Sequence, residues 1–145
     1  MAEFDKARID EALFGFLESI YFFERHEAKS FSLSWDEVYL LQMIYRSPGQ
    51  SVSDLAQKMK IKIFTISRML RKTEEMDLIQ RISSPKDKRS YHFFITERGV
   101  KKINEIEKYN YEVIVSQLKK MTNENSEFVL SILDHLGDIL KIPQT

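Results

Sequence analysis

The segment from Ser51 to Gly99, which reads SVSDLAQKMKIKIFTISRMLRKTEEMDLIQRISSPKDKRSYHFFITERG, decides the fold of this 145-residue chain. Either Ser51 or Ser53 can cap a first helix, with Asp54 in its first turn. A second helix, rich in lysine and arginine, is predicted from Ile63 to Met76. Two runs of β-branched and aromatic residues follow, separated by a polar turn. The segment therefore predicts two helices and a β-hairpin, with cations on the second helix and at the tip of the hairpin.

The hairpin is predicted to pair a strand at Leu78–Ser83 with a returning strand at Ser90–Ile95. The cations at or beside its tip are Lys86, Lys88 and Arg89. A hairpin of this kind, a wing, can lay an arginine into the minor groove of DNA, where the negative potential is deepest over narrow A·T tracts. Asp87 would repel phosphate at that place, so we expect its carboxylate to brace the wing by pairing with a nearby arginine.

The net charge of zero hides an uneven distribution of charge along the chain. Residues 58–102 hold 13 Lys and Arg against 5 Asp and Glu, a net charge of +8, whereas residues 1–57 carry −5 and residues 103–145 carry −3. A basic middle between two acidic ends is typical of a module that meets phosphates. The alternative is a basic face that contacts only solvent.

The second helix has two faces of different character. Its inward stripe is predicted to be Ile66, Met69, Leu70, Thr73 and Met76, and its opposite face carries Phe64, Thr65, Arg68, Arg71, Lys72 and Glu75. Arginine can bond guanine O6 and N7 in the major groove, and Phe64 or the Thr65 methyl can meet a thymine methyl. The predicted DNA contacts are Ser53, Lys62, Phe64, Thr65, Ser67, Arg68, Arg71, Lys72, Lys86, Lys88 and Arg89. This arrangement of parts predicts a winged helix-turn-helix.

Long helices are predicted on both sides of this domain. Apolar residues at helical spacing indicate one helix from Phe4 to His26, and a capping-box pattern at Ser34 and Glu37 opens another, which Ser47-Pro48-Gly49 ends. After Thr96, a predicted N-cap, two more helices follow with a turn at residues 122–125. Their broad apolar stripes suit an intermolecular bundle. The fold class is therefore mainly α with a small β-hairpin wing.

The motifs of the central segment resemble those of MarR-family transcription regulators. The resemblance rests on Asp87-Lys88-Arg89 and Ile95-Thr96-Glu97-Arg98-Gly99 in the wing, and on Ser53-Asp54-Leu55-Ala56 and Ile66-Ser67-Arg68-Met69-Leu70 in the two helices. Asp77 stands where the family usually has glycine, and Thr73 where a leucine normally packs.

The resemblance implies how the chain is organised and what it does. It implies an N-terminal dimerisation helix at residues 1–32, a winged helix-turn-helix DNA-binding domain at 33–98 and C-terminal helices at 99–145 that complete the dimerisation region. A homodimer would bind a pseudo-palindromic site in double-stranded DNA, with half-sites about one helical turn apart, and would act as a repressor.

The resemblance also implies a small aromatic or anionic effector that releases the protein from DNA. Candidate ligand-binding residues form an aromatic group, Tyr21, Phe22, His26, Phe31, Trp35 and Tyr39, although a purely structural role in the core is the alternative. No metal site is expected, since there is no cysteine and His92 and His135 lie far from His26 in sequence. No other cofactor is expected either.

Other classes of function find little support in the sequence. No catalytic motif or glycine-rich phosphate loop is present, so we do not expect an enzyme. No apolar run reaches the length of a membrane span, and the N-terminus has no signal-peptide pattern, so we expect a cytoplasmic protein. The remaining alternative is a winged-helix module or antirepressor that binds other proteins and not DNA.

Overall fold

The computed structural model describes residues 3–87 and 89–142, which form six helices and one two-stranded sheet. The elements in chain order are α1 (Lys6–Phe31), α2 (Trp35–Arg46), α3 (Val52–Met59), α4 (Ile63–Glu75), β1 (Ile79–Ser83), β2 (Tyr91–Ile95), α5 (Glu97–Leu118) and α6 (Asn123–Ile139). The chain divides into two compact units, Met1–Ile106 and Glu107–Thr145. The predicted class, mainly helical with a hairpin wing, is confirmed.

Helix α1 extends further than the apolar pattern predicts. Asp5 caps its start by accepting a hydrogen bond from the backbone N–H of Ala7 at 3.1 Å. Its end is not at His26 but at Phe31, where Ser32 adopts the left-handed conformation with φ 59°. Serine is an uncommon residue for that position, which glycine or asparagine usually fills, so the sequence carries no stop signal there.

Ser34 caps α2 as predicted, and of the two candidates for α3 it is Ser51 that caps the helix. Ser34 accepts from the backbone N–H of Glu37 at 3.2 Å, as predicted, but the Glu37 carboxylate lies on the ammonium of Lys72, at 2.7 Å. The Ser34 half of the predicted capping-box pattern is therefore confirmed, and the Glu37 carboxylate has Lys72 as its partner. The complete box is at α3, where Ser51 and Asp54 each accept the other's backbone N–H at 3.1 Å.

The core of the first unit is formed by apolar side chains from α2, α3, α4, the hairpin and the start of α5. Its buried members are Leu33, Leu40, Leu41, Ile44, Leu55, Ala56, Ile66, Met69, Leu70, Leu78, Ile79, Phe93, Ile103 and Ile106. The predicted inward stripe of α4 is confirmed, with Met76 partly buried. Thr73 is fully buried, and its hydroxyl donates to backbone carbonyls of α4 at 2.9 and 3.1 Å, which satisfies the polar group.

The short segment after α2 is hydrogen-bonded both to the end of α2 and to strand β2 of the hairpin. Strands β1 and β2 pair antiparallel, with Arg81 opposite Phe93, and Gln50 forms an additional bridge to Phe93. The buried Gln50 amide donates to the carbonyls of Met43 at 3.2 Å and Ser47 at 2.9 Å. His92 Nδ1 lies 2.8 Å from the carbonyl oxygen of Gly49. These bonds hold the base of the wing against the helices.

A close joint links the end of α4 to the start of α5. Asp77 takes the left-handed conformation, φ 60°, and the N–H of Leu78 bonds the carbonyl of Thr73 at 3.0 Å, a Schellman-type end. Thr96 donates to the Asp77 carbonyl at 2.7 Å and accepts from the Gly99 N–H at 3.0 Å. Thr96 therefore caps α5, as predicted, and also fastens that helix to the end of α4.

The second unit contains the later part of α5 and all of α6. Thr122 caps α6 by accepting from the backbone N–H of Asn125 at 3.3 Å, so the helix begins inside the predicted turn at residues 122–125. Large apolar side chains of α6 are exposed in the single chain, among them Phe128 at 65%. Across the part of the chain that the structure describes, no helix is long and apolar enough to cross a membrane.

Candidate nucleic-acid interface

The outer face of α4 presents the side chains that the sequence predicted there. Phe64 is 72% exposed, and Thr65, Arg68, Arg71 and Lys72 are exposed beside it. The face results from helical periodicity, because the residues between these positions are the ones that the core buries. An exposed face with two arginines and an aromatic ring can offer hydrogen-bond donors and an apolar contact to base edges in a groove.

Two of these side chains are oriented by contacts within the protein. The guanidinium of Arg68 lies 5.9 Å from the ring centre of Phe64, one turn earlier on the helix. The ammonium of Lys72 bonds both carboxylate oxygens of Glu37, at 2.9 and 2.7 Å. Lys72 therefore joins α4 to the start of α2, a role that the sequence did not indicate. Because the carboxylate offsets its charge, Lys72 is a weaker candidate for a DNA contact than Arg68 or Arg71.

The smaller predicted contacts lie at the edges of this face. Ser53 is exposed in the first turn of α3, and Lys62 is the residue that precedes α4, without a side-chain cap bond. Ser67 is half-buried in a cleft of about 210 Å³ between α4 and the wing. Backbone N–H groups at the start of α4 make that helix end suitable for phosphate oxygens, whereas the start of α3 is occupied by the Ser51–Asp54 capping box.

At the tip of the wing, Lys86 and Arg89 are exposed, and Lys88 lies outside the described residues. The Asp87 carboxylate accepts from the backbone N–H of Arg89 at 3.0 Å, and the Ser90 N–H bonds the Asp87 carbonyl at 3.0 Å. Within residues 3–87 and 89–142 no ion pair joins Asp87 to an arginine guanidinium, so a main-chain bond replaces the expected pairing. This bond fixes the turn that carries Arg89.

The sequence did not single out Arg81, which lies on β1 between the wing and α4. Its Nε is 3.3 Å from a carboxylate oxygen of Glu74, and its guanidinium lies 4.8 Å from the ring centre of Tyr91. The alternation of strand faces was the available signal, since Arg81 follows the buried Ile79 by two residues and so shares its face. Together with Arg71 and Ser67, these residues line the cleft between α4 and the wing.

Five of the six predicted ligand-binding residues lie outside the cavity that Tyr39 lines. Tyr21 and Phe22 are exposed on α1 with their rings 5.4 Å apart, and Trp35 packs against Phe23 at 5.9 Å. The ammonium of Lys102 lies 5.9 Å from the ring of Phe31. His26 is exposed.

Tyr39 lines an open cavity of about 670 Å³, whose other walls are Gln42, Met43, Arg46, Ser47, Gln50 and Lys58. The structure therefore does not gather the six predicted residues around that cavity. In the described ranges, no group of three or more His, Asp or Glu residues is arranged to hold a metal ion.

One carboxylate near the interface has a shifted pKa. The backbone N–H and the hydroxyl of Ser51 hold the pKa of Asp54 below its ordinary value of 3.8, and Lys58 and His92 lower it further, against a small opposing effect of burial. Asp54 therefore stays ionised at the start of α3, where a negative charge stabilises the helix.

Comparisons with known proteins agree on the class that the fold and this face define. Residues 33–91 match the family model described as "MarR family". The uncharacterized HTH-type transcriptional regulator YxaD of Bacillus subtilis is 25% identical over 129 residues, which cover 89% of this chain and 90% of that protein.

Two solved structures share the fold over nearly the whole chain. The crystal structure of MarR has a TM-score of 0.70 with 26% identity, covering 90% of this chain and 95% of MarR. FabT of Streptococcus pneumoniae, solved in complex with DNA, has a TM-score of 0.72 with 20% identity, covering 94% of this chain and 97% of FabT.

The class is that of winged helix-turn-helix transcription regulators. Within it, the matched segment is a MarR-family domain, and the resemblance drawn from the wing motif is confirmed. The chain is thus similar, over most of its length, to MarR-type transcriptional regulators.

Proposed function

We propose that the protein binds double-stranded DNA with α4 in the major groove and the wing in the adjacent minor groove, and that it represses transcription by occupying its site. The observation that carries this proposal is the exposed face of α4, where Arg68, Arg71 and Phe64 project beside a wing with exposed Lys86 and Arg89. The complex of FabT with DNA supports it, since that protein shares the fold. Arg68 and Arg71 are assigned to base edges, and Arg89 to the minor groove.

The active species is proposed to be a homodimer in which residues 1–32 and 99–145 supply the contacts between copies. Apolar side chains exposed on α1 support this proposal, among them Phe14 at 67% and Leu17 at 64%. Monomeric soluble proteins rarely leave such large apolar patches in water. Two-fold symmetry then requires a pseudo-palindromic site with half-sites about one helical turn apart.

Effector control, cellular location and the absence of catalysis complete the proposal. A small aromatic or anionic effector would favour a dimer whose two α4 helices are wrongly spaced for DNA, which is a shift between two populations. The relatives are transcription regulators, and we propose that the chain is not an enzyme, needs no cofactor and acts in the cytoplasm.

Selection of bound sequences from a pool of random duplexes tests this function. The purified protein should enrich a site with two related half-sites in inverted orientation. A variant that carries both Arg68→Ala and Arg71→Ala serves as the control and should lose the preference at the base pairs that these arginines read. Failure of the wild-type protein to enrich any sequence would contradict specific DNA binding and would favour a protein-binding winged helix.

A further inference from the structure

Arg81 occupies the inner face of the hairpin, not its exposed tip. On β1 it shares a face with the buried Ile79, and its cross-strand partner Phe93 is also buried. Tyr91, two residues from Phe93 on β2, lies on the same face, so the Arg81 guanidinium and the Tyr91 ring are diagonal neighbours at 4.8 Å. The cation thus lies between the wing and the helix that the wing packs against.

The partner of Arg81 on that helix is Glu74. The Arg81 Nε lies 3.3 Å from Glu74 Oε2, and the Arg81 side chain is 53% exposed and that of Glu74 34%. Glu74 follows Arg71 by three residues, so the two are neighbours on the surface of α4. The Arg81 guanidinium therefore joins α4 to both β1 and β2 of the wing.

Such a pair contributes little to the stability of the fold. A half-exposed ion pair is weakened by solvent, so its contribution to the free energy of unfolding is small. The ion pair has a larger effect on the orientation of the wing than on stability. In the DNA complex proposed above, α4 and the wing enter neighbouring grooves at the same time, so their relative orientation matters. A small rotation of the hairpin displaces the side chains at its tip from the minor groove while α4 stays in place.

We propose that Glu74, Arg81 and Tyr91 position the wing relative to α4 and thereby set which base pairs the minor-groove contact reads. This proposal rests on the DNA binding proposed above and assigns Arg81 a positioning role instead of a DNA contact. Loss of the Arg81 contacts leaves the major-groove preferences intact and weakens the preference for A·T base pairs that flank each half-site.

The test compares how much Arg89→Ala weakens binding in several backgrounds, using the selected duplex and variants of its flanks. In the wild-type protein, we expect Arg89→Ala to reduce affinity on the order of tenfold, which corresponds to about 1.4 kcal/mol. In Glu74→Gln or Arg81→Met, the same change should cost about threefold or less, because a displaced wing has already lost that contact. Arg81→Lys, which keeps the charge but not the planar group, should fall between these values.

Glu75→Gln is the matched control, since it removes the same charge from the next, exposed position of α4. In that background, Arg89→Ala should cost as much as in the wild-type protein, and the flank preference should persist. Thermal unfolding should show all single variants folded at the temperature of the binding assay.

The outcomes separate this proposal from the proposed function. A wild-type protein that binds no duplex, or that is indifferent to Arg89→Ala, contradicts the proposed function itself. If Arg89→Ala reduces affinity as much in Glu74→Gln as in Glu75→Gln, and both keep the flank preference, the positioning role alone is overturned. A uniform loss of affinity in Arg81→Met, with the full cost of Arg89→Ala retained, also overturns it and makes Arg81 a phosphate contact.

Discussion

Arg68 and Arg71 lie three residues apart on the exposed face of α4, and each is assigned to a base. Replacing either by alanine should lower the affinity for the selected site by about 1 to 3 kcal/mol and relax the preference at one base pair in each half-site. Competition between single-base variants of the site measures this change. An equal loss on every sequence would contradict base recognition and would indicate a phosphate contact.

The backbone around Gly99 leaves no room for a side chain. A Cβ added there would lie 2.1 Å from the backbone carbonyl oxygen of Leu78 and 2.6 Å from the Ile95 side chain. Gly99→Ala should therefore lower the free energy of unfolding by about 1 to 3 kcal/mol, although alanine favours helices elsewhere. Urea unfolding measures this change. Gly137→Ala, at a helical position with open space, is the control and should not destabilise the protein.

For single residues, the periodicity of apolar positions predicts which side chains face outward but not which residues they contact. The outward faces of Arg68 and Arg71 follow from the spacing of apolar residues along α4. The bond between Lys72 and Glu37 spans 35 positions, and the bond between Arg81 and Glu74 depends on how the hairpin packs on the helix. Both contacts depend on tertiary geometry, which no local pattern contains.

The ionised carboxylate of Asp54 stabilises the start of helix α3. Because its pKa lies below the ordinary 3.8, the Asp54 carboxylate stabilises the folded state above that pH, and this stability is lost as the pH falls through the lowered pKa. Asp54→Asn should be less stable than the wild-type protein near neutrality, and the difference should shrink below about pH 3.8. Urea unfolding as a function of pH measures this difference in the free energy of unfolding. A difference that does not change with pH would contradict the stabilising role of the ionised Asp54 carboxylate.

Element boundaries were predicted well where a chemical stop signal exists. Ser47-Pro48-Gly49 ends α2 at Arg46 as predicted, because Pro48 lacks the N–H that a helix needs and Gly49 takes a positive φ of 84°. The ends of α1 at Ser32 and of α4 at Asp77 use left-handed residues other than glycine. For Asp77 only the comparison with the family pattern revealed the turn, whereas for Ser32 no signal was available.

The exposed apolar side chains of α1 and α6 should be covered in the assembled protein. Light scattering should give twice the chain mass of 17.2 kDa at concentrations where DNA is bound. Leu133→Glu, which places a charge on the apolar face of α6, should weaken the dimer, because an unpaired charge is costly to bury. Glu124→Gln, at an exposed polar position of α6, should not. A wild-type monomer under these conditions would contradict the proposed assembly.

At the scale of the molecule, the distribution of charge was more informative than its sum. The segment of net charge +8 contains α4 and the wing, and the motifs within it indicated the family that the comparison then matched over residues 33–91. The effector site was not predictable in the same way. An aromatic group has the same sequence pattern in a core and in a pocket, and only Tyr39 of the predicted set faces the 670 Å³ cavity.

The dependence of DNA affinity on salt tests the central claim, that the basic helix and wing bind double-stranded DNA, most directly. If lysines and arginines of a dimer neutralise phosphates, the logarithm of the association constant should fall linearly with the logarithm of salt concentration. Between 50 and 200 mM salt the loss should be about a thousandfold or more, as for proteins that contact six or more phosphates. An affinity that is unchanged across this range would contradict the claim.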